Sequence, residues 1–196
     1  MARATRFLWD MHCGRKDRQL FQNARRLLCQ VIEQTGARTL LTDGERRYGS
    51  LWLALCRAAL RTGKRGRPKK TRRRGVKGRL KKKGTQRHQR GPKRPTYQAP
   101  SPEHPDTVQP VATQAIPANH RAAFHTSLRR RCAPYRRQTT RYAKNTARLQ
   151  ERWDGYWIVH NFVRVHLTTR QVPAVALGML DHGFTRHELF LIQKAA

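Results

Sequence analysis

Residues 61–95 limit what this chain can fold into more than any other segment. They contain 18 Lys or Arg residues, no acidic residue and only two aliphatic residues, Val76 and Leu80. A segment with so few apolar side chains cannot bury enough surface to offset the conformational entropy that folding removes. The composition therefore predicts a basic insert that is disordered in the absence of a binding partner.

The flanking composition predicts three regions. Residues 1–60 and residues 119–196 carry the apolar side chains that a core needs, whereas the six prolines between residues 95 and 118 predict an extended linker. We therefore expect an amino-terminal part of a core at 1–60, the basic insert with its Pro-rich linker at 61–118, and a helical carboxy-terminal part of the core at 119–196.

Residue periodicity predicts α/β structure in the first region. Apolar residues between positions 20 and 32 recur at helical spacing, and Gly36 favours a helix end there. Residues 3–13 are compatible with a strand, Thr39–Thr42 with a short buried strand, and residues 48–60 with a second helix. Strand, helix and strand in that order form a βαβ unit, which predicts a mostly parallel sheet.

In the third region, order is expected to return at Asn119 as a helix, a break near Pro134 and then a long helix. The aromatic side chains of the long helix are interpreted as core, with base stacking as the alternative. They recur at helical spacing together with one leucine: Leu149, Trp153, Tyr156, Trp157 and Phe162.

The formal net charge of +32 and the sequence pI of about 11.7 predict a polyanionic partner. Nucleic acid is the default, and an anionic membrane surface is the weaker alternative. No segment is long and apolar enough to predict a membrane span, and the first residues do not resemble a signal peptide. The four cysteines are widely spaced, which argues against a zinc site and favours a reducing compartment, so we expect a cytoplasmic, nucleoid-associated protein.

The insert contains the sequence "GKRGRPKK", which resembles the AT-hook, a peptide that lies in the minor groove of A·T-rich DNA. The alternative is an unspecific basic tail. Three arginines near the end of the first carboxy-terminal helix are expected to contact phosphates, with a solvated helix face as the alternative. The residues predicted to bind DNA are Arg65, Gly66, Arg67, Pro68, Lys69, Lys70, Arg129, Arg130 and Arg131.

Asp43 follows the predicted strand Thr39–Thr42 directly. Sites in open α/β sheets form at the carboxyl ends of strands, and a carboxylate there can bind a divalent cation such as Mg²⁺. The alternative is a turn, because Asp followed by Gly is a common turn pair.

Four segments in order resemble those of DDE transposases of the insertion-sequence-one type: "CGRKDRQLF", "LTDGERRYG", "SLRRRCAPYRRQTTRYAK" and "HNFVRVHLTTRQVPAVALG". The resemblance implies a partial ribonuclease-H-like core, an incomplete sheet with flanking helices, interrupted by the basic insert. It also implies Mg²⁺-assisted cleavage and transfer of DNA strands at transposon ends, with a homo-oligomer as a further expectation. Asp43 would then be a catalytic residue and a metal ligand.

The chain departs from this family pattern at the other two acidic positions. The strand that carries the family's first Asp would precede residues 3–13 and is missing from the sequence, so we expect a chain truncated at its amino terminus. Ala122 stands where the third acid, a Glu, is expected, and His125 where an Asn is expected. We therefore expect a catalytically incomplete transposase that still binds DNA. The alternative is a non-enzymatic, architectural nucleic-acid-binding protein.

Overall fold

The structure is a computed structural model that describes residues 1–14, 17–36, 38–43, 45–82, 96–100, 102–107, 111, 119–136 and 143–192. It divides the chain into two compact units: a central unit, Leu28–His125, and a terminal unit, Met1–Leu27 with Thr126–Ala196. The helices are α1 (Asp17–Thr35), α2 (Arg46–Cys56), α3 (Asn119–Arg131), α4 (Thr146–Ile158), α5 (Pro173–Ala176) and α6 (Arg186–Ile192). The strands are β1 (Thr39–Thr42), β2 (Arg57–Leu60), β3 (Lys69–Arg72), β4 (Lys77–Lys82) and β5 (Thr96–Gln98).

The mixture of helices and short strands confirms the α/β class. Within the described part of the chain, three strands form one sheet in the order β1-β4-β5, and β2 and β3 form a separate antiparallel pair. β1 runs parallel to β4, whereas β5 runs antiparallel to it. The sheet is therefore mixed, and the prediction of a mostly parallel sheet is wrong.

The predicted strand at residues 3–13 is also wrong. This segment forms no strand, so the βαβ unit that would start with it is absent. Its mixture of aromatic and apolar residues is compatible with a strand, but its backbone groups bond to side chains of α4 and of the turn after it instead of to a neighbouring strand.

Helix α1 forms where the apolar periodicity predicts it, and Gly36 ends it. Gly36 has a φ of 60°, a conformation that glycine adopts without a Cβ penalty. Its N–H donates to the carbonyl of Ile32 at 2.9 Å, which satisfies one of the free carbonyls in the last turn of the helix.

The second predicted helix, at 48–60, ends earlier than expected. α2 runs from Arg46 to Cys56, and residues 57–60 form β2 instead. The residues Ala58, Ala59 and Leu60 favour a helix by intrinsic propensity, but pairing with β3 in register overrides that preference.

The structure differs most from the sequence-based expectation in the basic insert. Residues 69–72 and 77–82 lie in strands β3 and β4, so the prediction of a disordered segment is wrong for them. Residues 83–95 lie outside the described residues. Composition alone does not show which arginines are buried, and Arg72 and Arg79 are almost fully buried here. Long aliphatic stems let arginine contribute to a packed interior if its charged head finds partners.

The apolar core of the central unit is small. Trp52, Cys56 and Val76 are buried, and partly buried side chains from α1, α2 and β1 pack against them: Leu28, Ile32, Leu40 and Leu55. Gly78 lets β4 approach this core closely, because a Cβ there would lie 3.0 Å from Nη1 of Arg72 and 3.2 Å from Cδ1 of Trp52.

A buried ionic group, which we call the guanidinium network, adjoins this core and consists of Arg72, Arg79 and Glu103. Nη1 of Arg79 lies 2.8 Å from Oε1 of Glu103, and both side chains are largely buried. Nη2 of Arg72 donates to the carbonyl of Pro100. Burial lowers the pKa of Arg72 from its usual value, and the charge of Glu103 opposes that shift. One carboxylate therefore stabilises two buried positive charges.

We predict that Glu103→Gln destabilises the protein by about 3–5 kcal/mol, because it removes the carboxylate that pairs with the buried charge of Arg79. The free energy of unfolding in urea measures this effect. The matched control is Glu151→Gln, which breaks the exposed pair between Arg148 and Glu151. The control should cost less than about 1 kcal/mol. Equal effects of the two substitutions would contradict a stabilising role for the network.

Helix α3 starts at Asn119 and continues into the terminal unit, where α4 follows a short 3-10 turn at Ala133–Tyr135, so the predicted helix, break and helix are confirmed. Val159–Val163 continues α4 as one π-helical turn. The described helices include none that is long and apolar enough to cross a membrane.

The core of the terminal unit is aromatic. Phe7 is buried, and its ring makes edge contacts with Trp9, Trp157 and Phe162 at centroid distances of 5.3, 6.3 and 6.2 Å. Trp157 and Phe162 also contact each other at 5.5 Å. For these two side chains the interpretation as core is confirmed.

Side chains from α4 and the π-helical turn bind the backbone of residues 8–13. Asn161 is fully buried; its Oδ1 accepts from the N–H of Leu8 and its Nδ2 donates to the carbonyl of Leu8, both at 2.9 Å. Gln150 makes a similar pair of bonds, accepting from the N–H of Cys13 at 2.9 Å and donating to the carbonyl of Met11 at 2.8 Å. The two amide side chains thus replace the strand partner that the segment lacks.

His160 lies next to this segment in a basic environment. Its Nε2 lies 3.1 Å from the carbonyl of Arg6, and its ring stacks on Tyr156 at 5.9 Å. Burial lowers the pKa of His160 more than any other cause, and nearby positive groups lower it further, while the bond to Arg6 opposes the shift. The groups that lower it are His166, Arg164 and Arg131.

We predict that the protein loses stability as the pH falls below the unfolded-state pKa of His160, about 6.5. The folded pKa is lowered, so the unfolded chain binds more protons in this range, and acid favours it. Neutral His160 contributes its full stability above that pH. The free energy of unfolding between about pH 8 and 5 tests this, with His160→Gln as the variant. The variant should flatten the profile, and the exposed His187→Gln serves as the control. A profile of unchanged steepness in His160→Gln would contradict the prediction.

Candidate nucleic-acid interface

The residues predicted to resemble an AT-hook lie at the tip of a β-hairpin. This basic hairpin consists of β2, the loop 61–68 and β3, and its strands pair in register from Arg57 opposite Arg72 to Leu60 opposite Lys69. The loop residues Arg65, Gly66, Arg67 and Pro68 are all exposed. The structure therefore brings the six predicted residues of the insert together on one ordered element.

The loop depends on glycine. Gly66 has a φ of 112° and Gly63 a φ of 73°, both in the region that side chains with a Cβ rarely adopt. No atom lies within 4 Å of the place where a Cβ of Gly66 would be. The backbone at Gly66 consequently has open space around it at the tip of the hairpin.

The electrostatics of the basic hairpin have one sign. The sequence contains no acidic residue between positions 46 and 102. The exposed cations of the hairpin are Arg57, Arg61, Lys64, Arg65, Arg67, Lys69 and Lys70. Positive charges grouped on one narrow element create a local potential that attracts polyanions.

The next two residues of β3 anchor the hairpin. Thr71 and Arg72 are buried, whereas Lys69 and Lys70 before them are exposed. Nε and Nη1 of Arg72 have no hydrogen-bond partner among the described residues. Arg72 belongs to the guanidinium network inside the central unit, whereas Lys70, two residues before it, is exposed.

The other predicted phosphate-binding residues, Arg129, Arg130 and Arg131, lie at the end of α3 in the terminal unit. Arg130 and Arg131 are exposed, while Arg129 is half-buried with its guanidinium 6.0 Å from the centre of the Tyr135 ring. Arg136 donates to the carbonyls of Arg129 and Arg130 at 3.3 and 3.2 Å. These cations also suit the negative end of the helix dipole, so their position alone does not require a ligand.

Asp43 lies directly after β1, as the sequence predicts, and is partly buried. Ala122 and His125 lie in α3. Within the described ranges, no three His, Cys, Asp or Glu side chains form a group that could hold a metal ion. Two-metal chemistry needs several carboxylates, and the alanine at position 122 has no ligand atom. The donor set of the described residues does not fit the magnesium centre that the family resemblance implies.

The residues that carry the resemblance near the carboxyl end contribute to packing. Asn161 bonds to Leu8, and Arg164 donates to Oγ of Ser127 at 3.4 Å. Pro173 and Ala174 begin α5 and are buried. Each of these residues has a structural contact that accounts for its position.

The guanidinium network and the role of Asn161 were not predicted from the sequence. One signal for the network was present, since Glu103 is the only acidic residue between positions 46 and 105. A single acid beside a long basic segment indicates a specific partner among its arginines. Nothing in the sequence alone indicates that Asn161 binds the backbone of Leu8, which lies 153 residues away.

No family model, no curated protein and no solved structure matches this chain.

Proposed function

We propose that the chain binds DNA and that the basic hairpin is its main contact surface. The observation that carries this proposal is the group of seven exposed cations on one ordered hairpin, in a stretch of the chain that contains no acid. If all seven neutralise phosphates, the logarithm of the binding constant should fall with the logarithm of salt concentration with a slope of about −6.

The shape of the tip supports contact with the minor groove. The groove is about 6 Å wide, so it admits an extended backbone with arginine side chains but not a helix. Gly66 carries no side chain and has free space around it, and the fixed φ of Pro68 stiffens the exit from the loop. The narrow groove of A·T-rich DNA has an enhanced negative potential that attracts arginine. Arg65 and Arg67 are the two residues positioned to use it.

We further propose that the protein is a catalytically incomplete DDE transposase of the insertion-sequence-one type. Support comes from the order of the four sequence segments and from the position of Asp43 at the end of β1. A ribonuclease-H-like core, binding to transposon ends, assembly as a homo-oligomer and a nucleoid-associated location belong to the same proposal. Since the donor set does not fit the magnesium centre, no catalytic step follows from it.

An architectural DNA-binding protein without enzymatic ancestry is the second candidate. The observation that favours it is the hairpin itself, because DNA-bending proteins also place strands and prolines in the minor groove. The two candidates differ in the role of Asp43. In the transposase it corresponds to a catalytic residue of the family, whereas in the architectural protein it only forms a turn.

We predict that the intact chain prefers A·T-rich over G·C-rich duplexes and that Arg65→Ala with Arg67→Ala abolishes this preference. The matched control is Lys69→Ala with Lys70→Ala, which removes the same charge from the start of β3. Both double variants should reduce the salt slope by about 2, since each removes two cations from the contact surface. Only the arginine variant should lose the sequence preference, because phosphate contacts carry no sequence information.

Titration of fluorescent duplexes at several salt concentrations measures both quantities. Equal binding of the two duplexes by the intact chain would exclude the minor-groove contact. Unchanged affinity in both double variants would exclude the basic hairpin as the main surface.

We predict no cleavage or strand transfer by this chain on duplex DNA in the presence of Mg²⁺ or Mn²⁺. Asp43 supplies one carboxylate in a basic environment, and Ala122→Glu alone should not restore activity because the two carboxylates together are still fewer than the family's three. Gel analysis of end-labelled DNA compares the natural chain with Asp43→Ala and Ala122→Glu. Cleavage by the natural chain that disappears in Asp43→Ala would overturn this prediction.

A further inference from the structure

A second basic surface lies in the terminal unit, apart from the residues that the sequence singled out. A cleft of about 270 Å³, which we call the α4 cleft, is bordered by Pro134 of the short turn and by the first turns of α4. Its lining residues are Pro134, Ala143, Lys144, Asn145, Arg148, Leu149 and Arg152.

Three cations lie on the same side of this cleft. Lys144, Arg148 and Arg152 are exposed and line the same cleft. Arg148 and Arg152 are four residues apart on α4, which places them on one helix face, and Lys144 directly precedes the N-cap residue Asn145. Like charges at this spacing destabilise a helix unless an anion compensates them. A bound polyanion would convert this cost into attraction.

The described part of the protein compensates this charge only weakly. Arg148 pairs with Glu151 at 3.3 Å, but both side chains are largely exposed, and such pairs contribute little. Neither Lys144 nor Arg152 forms an ion pair among the described residues. The cleft therefore has a net positive charge that is open to an external ligand.

The free N–H groups at the amino terminus of α4 are not the source of the attraction for an anion. Oδ1 of Asn145 already accepts from the backbone N–H groups of Ala147 and Arg148, at 2.8 and 3.4 Å. The attraction for an anion thus comes from the three cationic side chains. Pro134, Ala143 and Leu149 add apolar surface that tolerates a sugar or a base.

The spacing of the cations argues for a polymer that passes over the surface. The three cations of the cleft are spread from position 144 to position 152, and such a row matches the repeating charges of a nucleic-acid backbone better than one compact anion.

We propose that the α4 cleft binds the phosphodiester backbone of nucleic acid as a second contact site. This proposal rests on the proposed DNA-binding function and adds a second surface to it, in the other unit of the chain. The cleft residues contribute affinity and salt dependence but no base preference, because they contact phosphates.

The first test replaces all three cations by glutamine (Lys144→Gln, Arg148→Gln and Arg152→Gln) in the full chain. The salt slope of DNA binding should decrease by about 2.7, because three phosphate contacts are lost. The matched control, Arg18→Gln with Arg25→Gln and Arg26→Gln, removes the same charge from exposed positions of α1. It should change the slope by less than about 1. Equal changes in the two triple variants would overturn the proposal.

Two further measurements do not depend on how well the triple variant folds. Arg148→Lys with Arg152→Lys keeps the charges and should keep the slope; a loss as large as that of the triple variant would overturn the proposal. In the natural chain, duplex DNA should slow the acetylation of Lys144 several-fold, and inorganic phosphate at the same phosphate concentration should not. Equal protection by inorganic phosphate would overturn it in favour of a simple anion site. Protection by anionic phospholipid vesicles without protection by DNA would overturn it in favour of a membrane surface.

The outcome also separates this proposal from the proposed function. If DNA binding depends on the basic hairpin while Lys144 stays fully reactive, the α4 cleft is excluded and the hairpin remains. If the natural chain binds no DNA, both proposals are wrong.

Discussion

The central unit depends on burying two positive charges beside a single carboxylate. Its apolar core is too small to stabilise the strands of the basic segment by hydrophobic contact alone. The aliphatic stems of Arg72 and Arg79 enlarge the interior, and Glu103 makes that burial tolerable. Because Arg72 belongs to β3 and Glu103 follows β5, the same ionic group joins the base of the hairpin to the segment after the sheet.

This arrangement divides the arginines and lysines of one segment into two roles. Those next to Glu103 act as interior residues, while those in the loop 61–68 and at the start of β3 remain in solvent. Because β2 and β3 are paired, the exposed cations of the hairpin are held in position before a ligand binds. This reduces the conformational entropy that the hairpin would lose on binding. A strongly basic protein can in this way combine a stable fold with a concentrated external charge.

Local signals in the sequence predicted local structure well. The spacing of the apolar residues predicted α1, and Gly36 predicted where it ends. The short apolar run at Thr39–Thr42 predicted β1 and therefore the position of Asp43 after it. Composition led to a wrong prediction for the basic segment, because it gives the number of charges and not which arginines lie next to Glu103. The hairpin also eluded prediction, because β2 gains its stability from a partner strand and not from its own residues. For the candidate site, the sequence identified the cations at positions 65–70, but only the fold shows that they share one tip.

The support of Leu8 by Asn161 also sets the order in which the chain can fold. The two residues are separated by 153 positions, so during synthesis Leu8 cannot gain this partner until the chain has been made as far as Asn161. At about 5–20 residues per second, this delay is roughly 8–30 s. The central unit, Leu28–His125, is complete in sequence earlier. The aromatic ring of Phe7, which is buried in the folded protein, is therefore exposed during this interval, and the segment around it is where a chaperone would have most to protect.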